Sequence, residues 1–441
     1  MTSRRAFLRT SAAAVGAAAL AGSRLGSAQA PAEVRWLQWK TGEVGEKHMA
    51  DVKAAFEKAH PEARLTLVDS PFQGFHDKAI TLFQAQKLAD VLMIQVDWVA
   101  EYADLGMLQP LDEWLAREPK EYMDNIFPTF HKKWLGKQHY LPVHAGCVAL
   151  FWNTEIFKKA GVAGPPKTWD EYVQTAKKIT NLEAKIFATT ATLAVEPPTN
   201  LTYDIYPLIY QAGGEVIDEK SNKAVFNSPA GVKAVQWYVD LVNVHKVAVP
   251  GVLSNGEREK RGNFGAGNIG MMFEGPWGIP IQKKMNANLP FDTATLPKGV
   301  TTGTVVRGSL NSVTTQAQNK EAAWKFTRWL SGPEGNELWA RGTGDFPARK
   351  DVAEKPFFKE NKLAQAFVQQ MLLPNAKSPN LGMPQAVQLN KVLTTEIQNA
   401  VQAKKTVQQA LDDAAAEWNK VLAKYQKKRV SRSEGPFPPR E

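Results

Sequence analysis

The feature that most constrains the fold is an alternation, near the start of the chain, of short apolar runs with amphipathic helical stretches. Val34 to Trp39 has the length and apolar content of a strand. Gly45 to His60 then carries Met49, Val52, Phe56 and Ala59 at helical spacing and stops at Pro61. Arg64 to Val68 predicts a second strand, Asp77 to Lys87 a second helix, and Asp90 to Val96 a third strand. A βαβαβ order of this kind predicts a parallel sheet covered by helices. Ligands of such open sheets bind beyond the carboxyl ends of the strands. The positions to watch are therefore Trp39-Lys40-Thr41, Ser70 to Gln73, and Asp97-Trp98.

Further along, Val148 to Asn153 predicts another strand, and Thr168 opens a helix with Tyr172, Val173, Ala176 and Ile179 on one face. Thr168 and Glu171 have capping-box spacing, which assigns both to structure. Ser228 caps a helix to Val244, and Asn319 caps one to Leu330. With 441 residues, 44% of them hydrophobic and 22% charged, the chain can build two cored lobes.

The first thirty residues read as an export signal. Arg4-Arg5 with Phe7-Leu8 precedes an alanine-rich run from Ser11 to Leu20, and Ala28-Gln29-Ala30 has the form of a cleavage site. The arginine pair gives it twin-arginine character. The apolar run is about half the roughly twenty residues of a membrane span. Cys147 is the single cysteine, so no intrachain disulfide can form. The formal charge of +10 falls to +6 once Arg4, Arg5, Arg9 and Arg24 are set aside. Much of the rest lies in the basic tail 427–441, which composition reads as solvated and disordered. No basic stripe with interleaved aromatics occurs, so nucleic acid is not an expected partner.

Several short stretches, weak alone, occur in a shared order. They are Phe56-Glu57-Lys58-Ala59-His60-Pro61, Asp90-Val91, Tyr102 to Leu111, Pro142 to Asn153, Pro165 to Glu171, Gly275-Pro276-Trp277, and Ala322 to Phe326. Together they resemble the sugar-type extracellular solute-binding proteins, the maltose-binding-protein-like receptors of ABC importers, over nearly all of the chain beyond residue 30. The resemblance implies a two-lobed type II periplasmic-binding-protein fold of the α/β class. Each lobe is expected to be a mainly parallel sheet flanked by helices, with the ligand cleft between them. It places the first lobe at 31–146 plus 309–345 and the second at 147–308 plus 346–426. It also implies hinge closure, a membrane permease as partner, a monomer, a periplasmic location, and neither cofactor nor metal nor catalysis.

A pyranose has apolar C–H faces and a rim of hydroxyls, so its site needs flat aromatics and directional polar groups. Trp39, at the end of the first strand, and Trp277, after the strand Ile269 to Phe273, are the leading aromatic candidates. The resemblance adds Tyr203, and places a carboxylate at Asp97 beside Trp98; the same Asp97 has the position of a helix cap. Lys40, His144, Glu274, Arg307, Ser309 and Arg349 complete the expected ligand-binding set, whereas Trp36 reads as core. The chain has Gly146 where maltose-binding protein carries a glutamate, so maltose itself is not implied. A phosphorylated polyol such as glycerol phosphate fits Lys40, Arg307 and Arg349. An exported carbohydrate-active enzyme, with Asp97 and Glu274 as paired carboxylates, is the alternative from another class. Gly265-Ala266-Gly267-Asn268-Ile269-Gly270 matches a dinucleotide fingerprint in letters only, since strand follows it where a helix is required.

Overall fold

β1 (Ala32–Gln38) pairs in parallel with β2 (Ala63–Asp69) on one side and β3 (Val91–Gln95) on the other. This is the arrangement that the alternating runs predict. The structure, a computed structural model, describes residues 30–433 apart from 197–199, 219–220, 379–382 and 384. The expected export signal thus lies, but for Ala30, outside the described residues. The crossover helix Glu46–Ala59 buries Met49, Val52 and Phe56, and the second crossover, Phe75–Gln84, buries Phe75 and Ala79. Trp36 is fully buried and donates from Nε1 to Asn311 Oδ1 at 3.1 Å, a core residue as read.

Two strands from elsewhere complete this sheet. β4 (Leu141–Pro142) pairs antiparallel with β12 (Ser309–Val313), which in turn pairs antiparallel with β3, giving the order β2-β1-β3-β12-β4. The first lobe is therefore mixed. In the second lobe β6 (Ala149–Asn153) lies between β9 (Met271–Glu274) and β10 (Phe291–Ala294) and runs antiparallel to both. This corrects the expectation of a mainly parallel sheet in each lobe. β9 and β10 share a direction and are joined through the helix Gly278–Met285, but β6 inserts between them the other way. Apolar runs fix which residues are buried and leave strand direction open. A small pair, β7 (Ile217–Asp218) with β8 (Lys223–Ala224), lies apart from this sheet.

The lobes meet at β5 (Gly146–Cys147), β11 (Thr304–Arg307) and β13 (Ala376–Lys377), in the order β13-β11-β5. The chain crosses between lobes from β4 to β5 and again from β11 to β12. Gly308 sits at the second crossing, where an added Cβ would lie 2.3 Å from the His144 carbonyl oxygen. Only glycine lets the two crossing segments approach this closely. Cys147, on β5, is fully buried with Sγ 3.4 Å from the Phe367 carbonyl oxygen, and burial pushes its thiol up.

Two other boundaries differ from expectation. Phe346 and Ala348 pack in the first lobe's core with Phe130, Val143 and Ala145, although residues from 346 were assigned to the second lobe. Backbone bonds hold them there: Ala145 N to Phe346 O at 2.9 Å, and Phe127 N to Ala348 O at 3.1 Å. The last helix spans Val407–Ser433 and so runs seven residues into the segment expected to be disordered. Lys and Arg are good helix formers, and the charge pattern alone does not oppose helix there. Residues 434–441 lie outside the described residues.

Candidate functional site

A cavity of about 40 Å³ lies between the lobes, at the carboxyl ends of β1 and β3 and beside both crossings. Trp39, Lys40, His144, Tyr203, Trp277, Arg307 and Ser309 line it, seven residues of the expected set. Phe72, in the loop Ser70 to Gln73 that follows the second strand, lines it as well, and sequence reasoning missed Glu43, Gln95, Glu257 and Arg261, which also do.

On the first-lobe wall, Trp39 leaves the end of β1 and meets Phe72 at 5.4 Å, Phe75 at 4.9 Å and Trp98 at 5.6 Å between ring centroids. Trp98 is stacked on Phe75 at 5.8 Å and Phe72 at 6.1 Å. It supports the wall from behind and does not line the cavity, contrary to expectation. The cause is the short 3-10 turn Val96–Trp98, which turns its ring into the aromatic core.

On the second-lobe wall, Trp277 and Tyr203 stand 5.6 Å apart at 57°. Trp277 Nε1 donates to Glu274 Oε1 at 2.7 Å, and Gly275 N donates to the same oxygen at 2.9 Å. The ring is folded back so far that a Cβ on Gly275 would lie 2.2 Å from it. Gly146 matters for the same reason. A Cβ there would meet Pro276 Cδ at 3.0 Å and Trp277 Cζ3 at 3.1 Å, so the bare backbone at this position leaves room for the indole.

Charged groups occupy the layer beneath. Arg261 gives Nε and Nη2 to Glu274 at 2.8 and 3.2 Å, and Nη2 also lies 3.0 Å from Glu257. Burial opposes ionisation of Glu274, but Arg261 and Lys260 outweigh it and hold the carboxyl below its usual range. For Glu257 burial wins over Arg261, and its carboxyl is pushed up. Lys260 donates to the Phe273 carbonyl at 2.7 Å and faces Asp204 at 3.5 Å.

Arg307 clamps Asp97 through two bonds, 2.6 and 2.9 Å long, and both side chains are about 1% exposed. Its guanidinium lies 5.3 Å from the Tyr203 ring centre. Asp97 is thus neither a helix cap nor an open carboxylate for sugar, because the tertiary fold gives it a cation that chain position could not reveal. Glu274 likewise stands behind Trp277 without facing the cavity. Arg349 is a plain correction. It pairs with Asp351 at 2.8 Å, reaches the carbonyls of Tyr122 and Ser331, and takes no part in the cavity.

His144 Nε2 accepts from Ser309 N at 3.1 Å and sits 2.9 Å from Ser309 Oγ. That assigns the ring proton to Nδ1, which faces Asp345 Oδ2 at 3.5 Å. Burial, assisted by Lys40, lowers His144 to about 4 against the pull of Asp345. Lys40 pairs with Glu43 at 2.8 Å and lies 3.8 Å from Asp345; these carboxylates raise it despite burial. Lys40, Lys260, Arg261 and Arg307 are therefore four cations set among six carboxylates, Glu43, Asp97, Asp204, Glu257, Glu274 and Asp345. Among the described residues no group of three or more His, Cys, Asp or Glu side chains could hold a metal ion.

Comparison with known proteins places this geometry. An ABC transporter solute-binding protein from Thermotoga lettingae, solved with α-D-tagatose, superposes with a TM-score of 0.80 at 26% identity, covering 89% of this chain and all of that one. The maltotriose-binding protein of Pyrococcus abyssi is 26% identical over 306 residues, 66% of this chain and 62% of the relative. The sn-glycerol-3-phosphate-binding periplasmic protein of Pectobacterium atrosepticum is 23% identical over 95% of this chain and 97% of its own. The family model for bacterial extracellular solute-binding proteins matches residues 39–337, a span that begins at Trp39 on one wall and includes Trp277 on the other. The chain belongs to the bacterial extracellular solute-binding protein family.

Proposed function

We propose that the protein is the receptor of an ABC importer. It takes an uncharged mono- or oligosaccharide between its lobes by hinge closure and delivers it to a membrane permease. The observation that carries this reading is the pair of aromatic walls, Trp39 and Phe72 on one lobe with Trp277 and Tyr203 on the other. These supply flat surface for both C–H faces of a sugar ring. The relative named for maltotriose and the solute-binding protein solved with tagatose support it.

The cavity of about 40 Å³ is far below the roughly 300 to 1,000 Å³ of small-molecule sites. Entry of a sugar therefore requires the lobes to separate about the two crossings, and a ligand touching both walls then favours the closed state by its differential affinity. Ser309 has a defined role in this scheme. Its Oγ lines the cavity 2.9 Å from His144 Nε2, and a hydroxyl oxygen has two lone pairs with which to accept from a sugar hydroxyl.

The second reading, a phosphorylated polyol, has in its favour the glycerol-phosphate relative. Against it, each cation that lines the cavity is already paired, Arg307 with Asp97, Lys40 with Glu43 and Arg261 with Glu274. A dianionic phosphate would have to compete with those carboxylates for every one of them. Hydrolysis is disfavoured in the same way, since Asp97 and Glu274 are committed to arginines and neither is open to act as acid or base. The export pattern of residues 1–30 and the extracellular family fit a processed protein of the periplasm, which in this reading acts as a monomer.

The test is a thermal-shift series with maltose, maltotriose, tagatose and glycerol 3-phosphate, followed by small-angle scattering with the tightest ligand. A ligand at 100 times its Kd should stabilise by about 2.7 kcal/mol, and the particle should compact. Stabilisation by glycerol 3-phosphate alone would replace the sugar reading with the second one. No compaction with a tight ligand would remove hinge closure from the scheme.

A further inference from the structure

One acid beside the cleft is not committed to a partner. Asp345 follows the helix Pro333–Thr343 and is 2% exposed, yet no described residue donates a hydrogen bond to either oxygen of its carboxylate. Lys40 stands 3.8 Å from it and is already paired with Glu43 at 2.8 Å. His144 Nδ1 faces it at 3.5 Å, is itself without a hydrogen-bond partner, and belongs to a ring that burial keeps neutral at pH 7. The other carboxylates around the cavity differ. Asp97 takes two bonds from Arg307, Glu274 takes bonds from Arg261 and Trp277, and Asp204 accepts from Tyr238 at 2.8 Å.

A buried carboxylate left without donors is costly, and most buried polar groups avoid that state. The position of Asp345 shows when the cost arises. It stands in the first lobe at the seam with the second. The next residue, Phe346, bridges to Ala145 beside His144, and a Cβ on Gly344 would lie 3.4 Å from Pro280 Cδ of the second lobe. Lys40 and His144, the two groups that flank the carboxylate, both line the cavity. Separation of the lobes lifts the helix Gly278–Met285 off this corner and opens the carboxylate to hydrogen-bond donors. Closure withdraws them, unless whatever is enclosed between the lobes brings donors of its own.

We propose that Asp345 is the specificity-determining acid of the cleft, which accepts hydrogen bonds from two adjacent hydroxyls of the bound sugar in the closed, loaded form. This rests on the sugar reading above and narrows it to neutral sugars that present a free vicinal diol. An ionised carboxylate offers two acceptor oxygens and no donor, and its hydrogen bonds are roughly twice as strong as those between neutral groups. A diol supplies the two donors it needs. A uronic acid or a sugar phosphate would instead set a second anion against it. With no ligand the same carboxylate disfavours closure, so capture and lobe movement are coupled through it. Asp345 thus has the role that chain position suggests for Asp97, whose oxygens Arg307 already occupies.

The experiment compares the unaltered chain with Asp345→Ala and Asp345→Asn, first by thermal unfolding without ligand. The carboxylate has no donor to lose and Lys40 keeps Glu43, so both variants should melt at or above the temperature of the unaltered chain. A lower midpoint in both would make Asp345 a structural partner and overturn the proposal. Calorimetric titration with maltose, maltotriose and tagatose follows, then with single-deoxy derivatives of whichever binds most tightly. The unaltered chain should lose affinity on the order of tenfold to a hundredfold for at least one deoxy derivative. Asp345→Ala should bind that derivative and its parent sugar equally well and discriminate the remaining positions as before. Asp345→Asn, which keeps the volume and one acceptor, should fall between. Identical discrimination of every derivative by the unaltered chain and by Asp345→Ala would overturn the proposal and leave the sugar reading standing. Failure of the unaltered chain to bind any of the three sugars would overturn both.

Discussion

The two walls of the cleft carry similar aromatic surface on different foundations. On the first lobe, Trp39 and Phe72 rest on further rings, Phe75 and Trp98, and only behind Trp98 does the His76 ring meet Glu101. On the second, Trp277 rests on Glu274, which is held by Arg261, which is shared with Glu257. The difference teaches that one wall is built chiefly by dispersion and water exclusion and the other by buried charge, which is stable only while every partner is present. Arg307 with Asp97 ties the two together across the crossing strand.

That tie offers the hardest way to break the comparison. Arg307→Ala leaves Asp97 buried without its cation and should cost about 3 to 5 kcal/mol, read by urea denaturation. A cost below about 1 kcal/mol would mean that water reaches Asp97 and that the two walls are not linked through it.

Truncating the rings separates the foundations next. Trp39→Ala removes a residue that three others pack against and should lower stability by about 3 kcal/mol or more. Trp277→Ala takes a donor from the buried Glu274 as well as a ring, so it should lower stability too, and it should weaken ligand binding by about 2 kcal/mol or roughly thirtyfold, as measured by calorimetry with the best sugar from the screen. Stability losses in the two variants that respond identically to pH and salt would erase the distinction between the walls.

Acid supplies a third contrast. His144 is neutral in the fold, with a value of about 4, and ordinary at about 6.5 when unfolded. Between those values the unfolded chain binds the extra proton, so stability is full above about pH 6.5 and is lost as pH falls towards 4. The loss is up to about 3 kcal/mol. His144→Gln should flatten this part of the pH profile, followed by thermal unfolding across pH 4 to 7, and Trp39→Ala should leave its slope unchanged.

The smallest expected effect is at Gly146. Gly146→Ala forces Pro276 and the Trp277 indole to give by a few tenths of an ångström, costing about 1 kcal/mol. Affinity should fall several-fold in the same calorimetric titration, with the first-lobe wall untouched.

What the sequence revealed follows the same division. The first wall was legible because Trp39 ends an apolar run of strand length and Phe72 lies in the loop after the next one, where open sheets place their ligands. Trp277 was legible through Gly275-Pro276-Trp277. Glu257 and Arg261 were not, because Glu257-Arg258-Glu259-Lys260-Arg261 reads as a solvated helical face. Only the packing of that helix on β9 decides that Glu257 and Lys260 are buried while Arg258 and Glu259 are exposed. The i,i+4 spacing of Glu257 and Arg261 was the one available signal. Arg349 erred in the opposite direction, since nothing local distinguishes an arginine at a cleft from one that closes a first-lobe corner against Asp351 and Tyr122. Strand direction in the second lobe was hidden for a comparable reason, as β6 owes its neighbours to segments more than a hundred residues away.

The buried thiol on β5 has a practical consequence. Cys147 is sealed and held protonated at neutral pH, so labelling reagents that need an accessible thiolate pass it by in the folded protein. A cysteine introduced at the exposed Lys284, whose amine lies 3.5 Å from the Gly42 carbonyl on the other lobe, would be the sole reactive thiol. A fluorophore placed there would turn lobe movement into an optical signal, making this chain a single-site reagentless sensor for whatever it carries.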